Sequence, residues 1–337
     1  MLTGILIAVF AGILLGLYAL PEKFTKDFKF ENTWGLFFFI NMLIVPFLAI
    51  MVFITGASNI FSSVPSDVLL KMVFASVLWG IGVMMWGKAI NYIGLSLGFS
   101  LFIGTVILIG SLLPFLVEGL PPTNVFTTIL GGILVVLIGV VINGKAGLLR
   151  QKDEDSTNLV VGDSSMVTGI FIAVGGGVLA TGFSYANAVG RPYLQEASQL
   201  MGNADWVTAL AVMCVIYVSG GVPITLYFIY EIGKKKLWSS FKTEAIVQNL
   251  TLISVMALFN FAASILFAFA AFNLGSSGNT VGYAIFNTVS VAVAIISGIV
   301  TGEWAKAASR TKVFLYLGLT CMIIGVLIIA FGNGLAA

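Results

Sequence analysis

Few side chains in this sequence could do chemistry, and their surroundings limit that chemistry. The 337-residue chain has no histidine, which excludes an imidazole base, an imidazole proton relay and a His-based metal site. Its 14 Asp and Glu residues fall in polar connections or at the ends of apolar runs. Because no nucleophile–base pair or metal cluster can assemble inside those runs, we expect no enzyme, no metal and no cofactor.

One basic residue lies clearly inside an apolar run. Lys88 is six residues before Gly94, or about 9 Å along a helix. Its stem could snorkel to a polar surface, but an ionisable residue in apolar surroundings usually faces a cavity. Trp79, Trp86 and Asn91 share the run. We therefore interpret these four residues as ligand-binding candidates, with Lys88 donating to a hydroxyl, carboxylate or phosphate oxygen.

Amides and further aromatic residues in other apolar runs extend this set. A buried amide without a partner is costly, so each one either joins helices or faces a polar ligand. Aromatic side chains could stack on a sugar ring or an aromatic drug, although packing explains many of them. The additional candidates are Asn41, Tyr185, Asn187, Asn260, Tyr283 and Asn287.

The composition identifies the elements that must hold these side chains. The chain is 59% hydrophobic and 9% charged, with a mean hydropathy of +1.09, whereas soluble domains are about 25% charged. We therefore predict an all-α membrane protein. A membrane span needs about 20 apolar residues, and the sequence predicts ten spans, at 2–20, 34–56, 68–94, 95–117, 125–143, 166–190, 204–230, 245–274, 279–302 and 312–334.

The two halves of the chain are related. The run GILIAVFAGIL at Gly4–Leu14 matches GIFIAVGGGVL at Gly169–Leu179, and GGILVVLIGVVI at Gly131–Ile142 resembles LGLTCMIIGVLI at Leu317–Ile328. These matches predict two five-helix repeats, residues 1–143 and 166–337, joined by a cytoplasmic linker at 144–165. Five is an odd number, so the second repeat enters the membrane from the opposite side and the repeat is inverted.

Basic residues are distributed unequally between the two sides of the predicted helices. Thirteen of them follow odd-numbered spans, whereas Lys71 and Arg191 lie on the side reached by even-numbered spans and Lys88 lies within a span. Because basic loops remain in the cytoplasm, we expect a cytoplasmic-membrane protein with both termini outside. The basic residues that follow odd-numbered spans are Lys23, Lys26, Lys29, Lys145, Arg150, Lys152, Lys234, Lys235, Lys236, Lys242, Lys306, Arg310 and Lys312.

An inverted repeat is typical of secondary transporters, in which the two halves exchange conformations around a central site. The sequence lacks the glycine-rich phosphate loop of ATP-driven pumps and shows no filter-like segment of a channel. The net charge of +2 argues against a nucleic-acid partner. The predicted partners are a small-molecule substrate, the lipid bilayer and a coupling ion, either a proton or Na⁺.

Seven short segments are spread along the chain: Pro21–Lys23, Leu78–Gly82, Asn91–Gly98, Asn143–Lys152, Asn187–Ala197, Gly302–Trp304 and Phe331–Leu335. In this order they resemble the L-rhamnose–proton symporter family of the drug/metabolite transporter superfamily. This resemblance implies ten helices, an inverted repeat and proton-driven sugar uptake. The superfamily contains both sugar transporters and exporters or exchangers of more apolar or anionic compounds, so both are alternatives. A receptor or scaffold without solute flux is the alternative outside transport.

Four charged residues are candidates for gating or ion coupling. Arg191 and Glu196 lie in a segment similar to a Lys-Pro-x-x-Glu pattern of that family, which suggests an ion pair at the outer gate. Glu118 and Glu303 end the fourth and ninth spans, which suggests equivalent gating contacts on opposite faces. Glu196 is the proton-carrier candidate, with a surface salt bridge as the alternative.

Overall fold

A computed structural model describes residues 2–154, 163–275, 278–302 and 304–335 of the chain. The described residues form an all-helical fold. Short helical turns at Leu20–Phe24, Ile40–Ile44 and Leu237–Phe241 supplement the main helices. These are α1 Leu2–Leu17, α2 Phe30–Phe39, α3 Val45–Phe53, α4 Ala57–Ser63, α5 Ser66–Leu112, α6 Phe115–Glu118, α7 Thr123–Glu154, α8 Asp163–Ala180, α9 Gly182–Leu200, α10 Asp205–Lys234, α11 Ile246–Asn273, α12 Gly278–Val300 and α13 Ser309–Gly334.

Ten helical segments in the described part of the chain are long and apolar enough to cross a membrane. They coincide in order and number with the ten predicted spans, so the predicted membrane class and span count are confirmed. The sixth span consists of α8 and α9, which are separated at Thr181. The seventh span, α10, is the most buried of the ten and lies at the centre of the helix bundle.

The third and fourth spans follow one another without an intervening loop, as their predicted bounds of 68–94 and 95–117 imply. The backbone is helical on both sides of Gly94 within α5. The chain nevertheless reverses within α5, since the rings of Trp86 and Phe102 are 5.9 Å apart, whereas a straight helix would separate them by about 24 Å. A connection without a loop leaves few backbone polar groups outside helices near the membrane.

The connection between the halves is also more helical than a polar linker at 144–165 implies. Helix α7 continues to Glu154 and α8 begins at Asp163. Good helix formers such as Ala146, Leu148 and Leu149 favour this extension. Two cations on it contact aromatic rings: Lys145 Nζ lies 4.4 Å from the Phe314 ring centre, and Arg150 lies 4.8 Å from that of Trp304.

The loops between the spans gather on two faces of the bundle. We call the side with the predicted cytoplasmic loops, including residues 25–29 and 235–245, the basic face. Hydrogen bonds there join Lys26 to Asn249 and Asn32 to the carbonyl of Leu237. We call the other side, with residues 54–65, 119–122 and 201–204, the opposite face. The loops therefore alternate between the two faces as the span order requires.

Glycines bring the fifth and tenth spans together. A Cβ placed on Gly132 of α7 would lie 3.0 Å from the carbonyl oxygen of Gly325 on α13, and one on Gly139 would lie 2.7 Å from that of Gly318. Such backbone-to-backbone contact is possible only without side chains at these positions. The α7–α13 pair therefore packs as a unit, and none of its residues is among those that line the central cavity.

Candidate functional site

A cavity of about 160 Å³ lies among eight of the ten spans. Its lining comes from the first to fourth and the sixth to ninth spans, so both halves of the chain contribute. The described lining contains no charged side chain. The lining residues are Leu15, Tyr18, Phe37, Phe38, Asn41, Met42, Trp79, Val83, Trp86, Phe102, Ile103, Val106, Ala180, Phe183, Tyr217, Asn260, Ser264, Tyr283, Phe286 and Asn287.

The second span widens where it supplies an amide to the cavity. Residues Ile40–Ile44 form a π-helical turn, and Pro46 is the second residue after it. A proline has no N–H and clashes with the carbonyl four residues earlier, which here belongs to Met42. Wider turns of this kind absorb such a conflict and often occur at functional sites. The turn carries Asn41, whose side chain is only 1% exposed.

Asn41 begins a chain of polar side chains that crosses three helical segments. Asn41 Nδ2 donates to Asn260 Oδ1 at 2.8 Å. The hydroxyl of Tyr217 donates to the same Asn260 oxygen at 2.8 Å and lies 2.5 Å from Ser264 Oγ. Asn260 and Ser264 are one turn apart on α11 and therefore share a helix face. Asn41 Oδ1 is buried with no hydrogen-bond partner among the described residues.

The wall provided by α5 has a different character. It presents aliphatic and aromatic side chains, and Trp79 packs between α9 and α10 with its ring 5.2 Å from that of Phe183 and 5.3 Å from that of Tyr217. A ligand in the cavity would therefore meet amides and hydroxyls on the α10–α11 side and rings on the α5 side. Such a mixture of aromatic surface and a few polar groups is typical of small-molecule sites.

Four aromatic rings close the end of the cavity toward the opposite face. Phe267 stacks on Phe286 at 5.1 Å and lies 5.6 Å from Tyr283, while Phe183 lies 5.8 Å from Phe267. We call these four residues the aromatic cluster; each is at most 5% exposed. At the other end, lining residues such as Tyr18 and Trp86 are partly exposed. The cavity therefore opens toward the basic face.

A polar network lies beyond the aromatic cluster, near the opposite face. Arg191 Nη2 donates to Glu118 Oε1 at 3.3 Å. Asn279 Nδ2 donates to the same carboxylate, and Asn187 Nδ2 donates to Asn279 Oδ1 at 2.5 Å. We call these four residues the closed-face network. They connect the end of the fourth span with the sixth and ninth spans.

The predicted ligand-binding residues divide into two groups. Six line the cavity: Asn41, Trp79, Trp86, Asn260, Tyr283 and Asn287. Three do not. Lys88 is exposed, with Nζ 5.6 Å from the centre of the Tyr227 ring, Tyr185 is half-buried outside the lining, and Asn187 belongs to the closed-face network. The side chain of Asn91 lies outside the described part of the chain.

The predicted gating residues are also separated. Arg191 pairs with Glu118 and not with Glu196, which lies exposed on α9. The physical reason is helix geometry: Glu196 is five residues from Arg191 and projects from a different side of the helix. Glu303 lies outside the described residues.

Three polar residues that matter here were absent from the predicted set: Tyr217, Ser264 and Asn279. Helical spacing could have indicated two of them. Ser264 follows Asn260 by four residues, and Asn279 precedes Tyr283 by four, so each pair lies on one helix face. Tyr217 carries no such signal, because the residues three and four positions from it on α10 have no polar side chain that lines the cavity.

Comparison with known proteins agrees with this architecture. The whole chain, residues 1–337, matches the family of the L-rhamnose-proton symport protein. Similar proteins include the L-rhamnose-proton symporters of Citrobacter koseri, Shigella dysenteriae serotype 1 and Enterobacter sp. (strain 638). Each is 26% identical over 322 residues, covering 93% of this chain and 92% of the relative. With ten apolar helices, eight of which line a small cavity, the chain belongs to the L-rhamnose-proton symport protein family.

Proposed function

We propose that the chain is a secondary transporter that carries a small neutral sugar across the cytoplasmic membrane, coupled to protons. One observation carries the sugar assignment: Asn41 Oδ1 is a buried acceptor with no partner among the described residues, in a cavity otherwise lined largely by rings. A buried polar atom of this kind calls for a partner. A sugar hydroxyl supplies one, while the apolar face of the sugar ring packs on Trp79.

The charge of the lining favours a neutral solute over an anion. An anion in a cavity without a described cation would lose its hydration without compensation. Lys88, the cation that could have offered this compensation, lies outside the lining. The cavity of about 160 Å³ is also below the roughly 300–1,000 Å³ of drug-sized pockets. Both features favour a monosaccharide over a larger amphiphile.

The proposed orientation places the basic face in the cytoplasm and both termini outside. The excess of Lys and Arg in the loops of this face supports it, since positively charged loops are retained in the cytoplasm. In this orientation the cavity opens toward the cytoplasm, and the aromatic cluster and the closed-face network close it on the outside.

Equivalent glycine contacts support the proposed inverted repeat. In the first span a Cβ on Gly12 would lie 2.6 Å from Val289 Cβ and 2.9 Å from the Phe286 carbonyl oxygen. In the sixth span a Cβ on Gly177 would lie 2.7 Å from Thr105 Cβ and 2.9 Å from the Phe102 carbonyl oxygen. Gly12 and Gly177 are aligned in the sequence repeat, so the crossings of spans one and nine and of spans six and four correspond.

This correspondence gives a route to alternating access. If the two halves exchange the conformations of their equivalent crossings, the cavity closes at the basic face and opens at the opposite face. The glycine contacts between α7 and α13 would remain in place during this exchange. The solute then moves with the change in cavity access and not along a continuous pore.

Solute counterflow in proteoliposomes tests the proposal. Purified protein would be reconstituted with unlabelled L-rhamnose inside, and uptake of labelled L-rhamnose would be measured against liposomes without protein. We expect transient accumulation at least tenfold above the control, and an imposed inward proton gradient should drive net accumulation. Flux of tetraphenylphosphonium without sugar flux would contradict the sugar assignment and favour an exporter, whereas no flux of either would contradict transport.

Lys88 provides a second prediction. We expect Lys88→Met to change the concentration of L-rhamnose that gives half-maximal counterflow by no more than about twofold, because the ammonium group lies outside the cavity and is exposed. The same titration in wild-type protein is the reference. A tenfold or larger increase, equivalent to about 1.4 kcal/mol, would show that Lys88 contacts the solute after all.

A further inference from the structure

Glu118 differs from the other carboxylates in the described spans. Its side chain is 15% exposed, and that of its partner Arg191 is 16% exposed. Glu31 and Glu231 are shielded to the same degree, at 16% each, but they lie at the basic face and share the exposed Lys235. Glu118 is thus a shielded carboxylate at the face where the cavity is closed.

The Glu118–Arg191 pair is incompletely satisfied. Glu118 Oε2 and Arg191 Nη1 are buried without a hydrogen-bond partner among the described residues, and the contact that joins the two side chains is single, at 3.3 Å. A shielded ion pair repays the loss of hydration only when its geometry is good and its remaining groups are bonded. The stability of this pair is therefore sensitive to a proton on Glu118.

A polar helix face connects Glu118 with the cavity. Asn279, Tyr283 and Asn287 follow one another at intervals of four residues on α12, so they share one face over about 12 Å. Asn279 donates to Glu118, while Tyr283 and Asn287 line the cavity. A change at Glu118 is thus transmitted directly to a helix that contacts the solute.

The helices that surround Glu118 carry few charged residues. On α9, the helix that packs on α6, the charged residues are Arg191 and the exposed Glu196. Helix α12 carries no charged residue in its sequence, and its titratable group is Tyr283. Arg191 is therefore the charge that responds to the protonation state of Glu118.

We propose that Glu118 binds the coupled proton and that Arg191 holds the unprotonated carboxylate when the opposite face is closed. This inference rests on the proposed sugar–proton symport. With that face open, water hydrates both groups and a proton from this water bonds to the Glu118 carboxylate. After closure the O–H bond breaks, and the proton leaves along the α12 face, past the hydroxyl of Tyr283, to water in the cavity. The carboxylate then pairs with Arg191. Release of the proton thereby stabilises the state seen here.

Glu118→Gln tests this role because it keeps the shape of the side chain and removes the titration. In proteoliposomes with an imposed inward proton gradient, we expect L-rhamnose accumulation to fall at least tenfold relative to wild type. Counterflow at equal pH on both sides should remain measurable and lose its dependence on pH. Glu196→Gln, which changes the exposed acid on α9, is the matched control and should accumulate L-rhamnose within about twofold of wild type.

The outcomes are distinguishable. Gradient-driven accumulation by Glu118→Gln at the wild-type level would overturn the proposal. If Glu118→Gln loses counterflow as well, Glu118→Asp decides: recovery of driven accumulation supports the need for a carboxylic acid, and its continued loss in a protein with wild-type thermal stability overturns it. Failure of the wild-type protein to show any sugar flux would contradict the proposed function itself and would be evident before any variant is compared.

Discussion

Replacing Asn260 with leucine is expected to weaken L-rhamnose binding at least tenfold and up to about a hundredfold. Asn260 Oδ1 accepts hydrogen bonds from both Asn41 and Tyr217. Leucine leaves the buried Asn41 donor unpaired, whereas Tyr217 keeps Ser264 Oγ and the backbone carbonyl of residue 260 as partners. An unpaired buried group costs about 1–3 kcal/mol, and 1.4 kcal/mol corresponds to a tenfold change. Asn41 Nδ2 would also lose the hydrogen bond to Asn260, which orients Asn41 Oδ1 toward the solute. The half-maximal concentration in counterflow measures the effect.

Asn273→Leu is the matched control, because it makes the same change on the same helix. Asn273 donates to the carbonyl of Phe269 within α11 and is absent from the cavity lining. We expect its half-maximal concentration to stay within about twofold of wild type. Equal effects of the two variants would mean that Asn260 acts through the stability of α11 and not through the cavity.

Gly132→Val should destabilise the whole protein more than any cavity variant. A Cβ at this position would lie 2.6 Å from Ile329 Cγ1 and 2.9 Å from the Ile329 backbone nitrogen. Backbone atoms cannot move aside as a flexible side chain can, so α7 and α13 must separate. Overpacking typically costs about 1–3 kcal/mol, and loss of the close helix contact adds to it. We expect a lower unfolding midpoint in detergent, measured by size-exclusion chromatography after heating.

The neighbouring Gly131 provides a matched control for Gly132→Val. A Cβ on Gly131 would meet nothing within 4 Å, yet Gly131→Val introduces the same β-branched residue into the same helix turn. Any intrinsic effect of valine on the helix is therefore present in both variants. A midpoint for Gly132→Val equal to that of Gly131→Val would contradict the proposed importance of the α7–α13 contact.

Sequence reasoning was sufficient for the spans because each one is a long apolar run, and a membrane requires such runs to be helical. It was less accurate at their ends. The fifth span was predicted to end at residue 143, but helix α7 continues to Glu154. This extension depends on helix-forming residues and on aromatic contacts with distant Phe314 and Trp304.

The candidate site was predicted only in part, for a reason that differs between residues. Buried amides such as Asn41 and Asn260 are conspicuous in apolar runs, so their type alone indicated them. Lys88 was conspicuous for the same reason, but its position around the helix axis decides what it faces, and the helix that it meets is distant in sequence. The partner of Arg191 could not be read from spacing, because Glu118 is 73 residues away.

The one-sided distribution of polar atoms in the cavity has a stereochemical consequence. Amides and hydroxyls come from α10, α11, α12 and the turn that carries Asn41, whereas α5 opposes them with aliphatic and aromatic side chains. A hydroxyl directed at the apolar part of the α5 wall, at Val83 and Phe102, would lose its water without gaining a partner, at a cost of about 1–3 kcal/mol. Epimers that differ at one carbon are thus distinguished by whether the hydroxyl on that carbon faces the α5 wall. A sugar with its hydroxyls along one edge and a C–H surface or methyl group along the other is the isomer that fits.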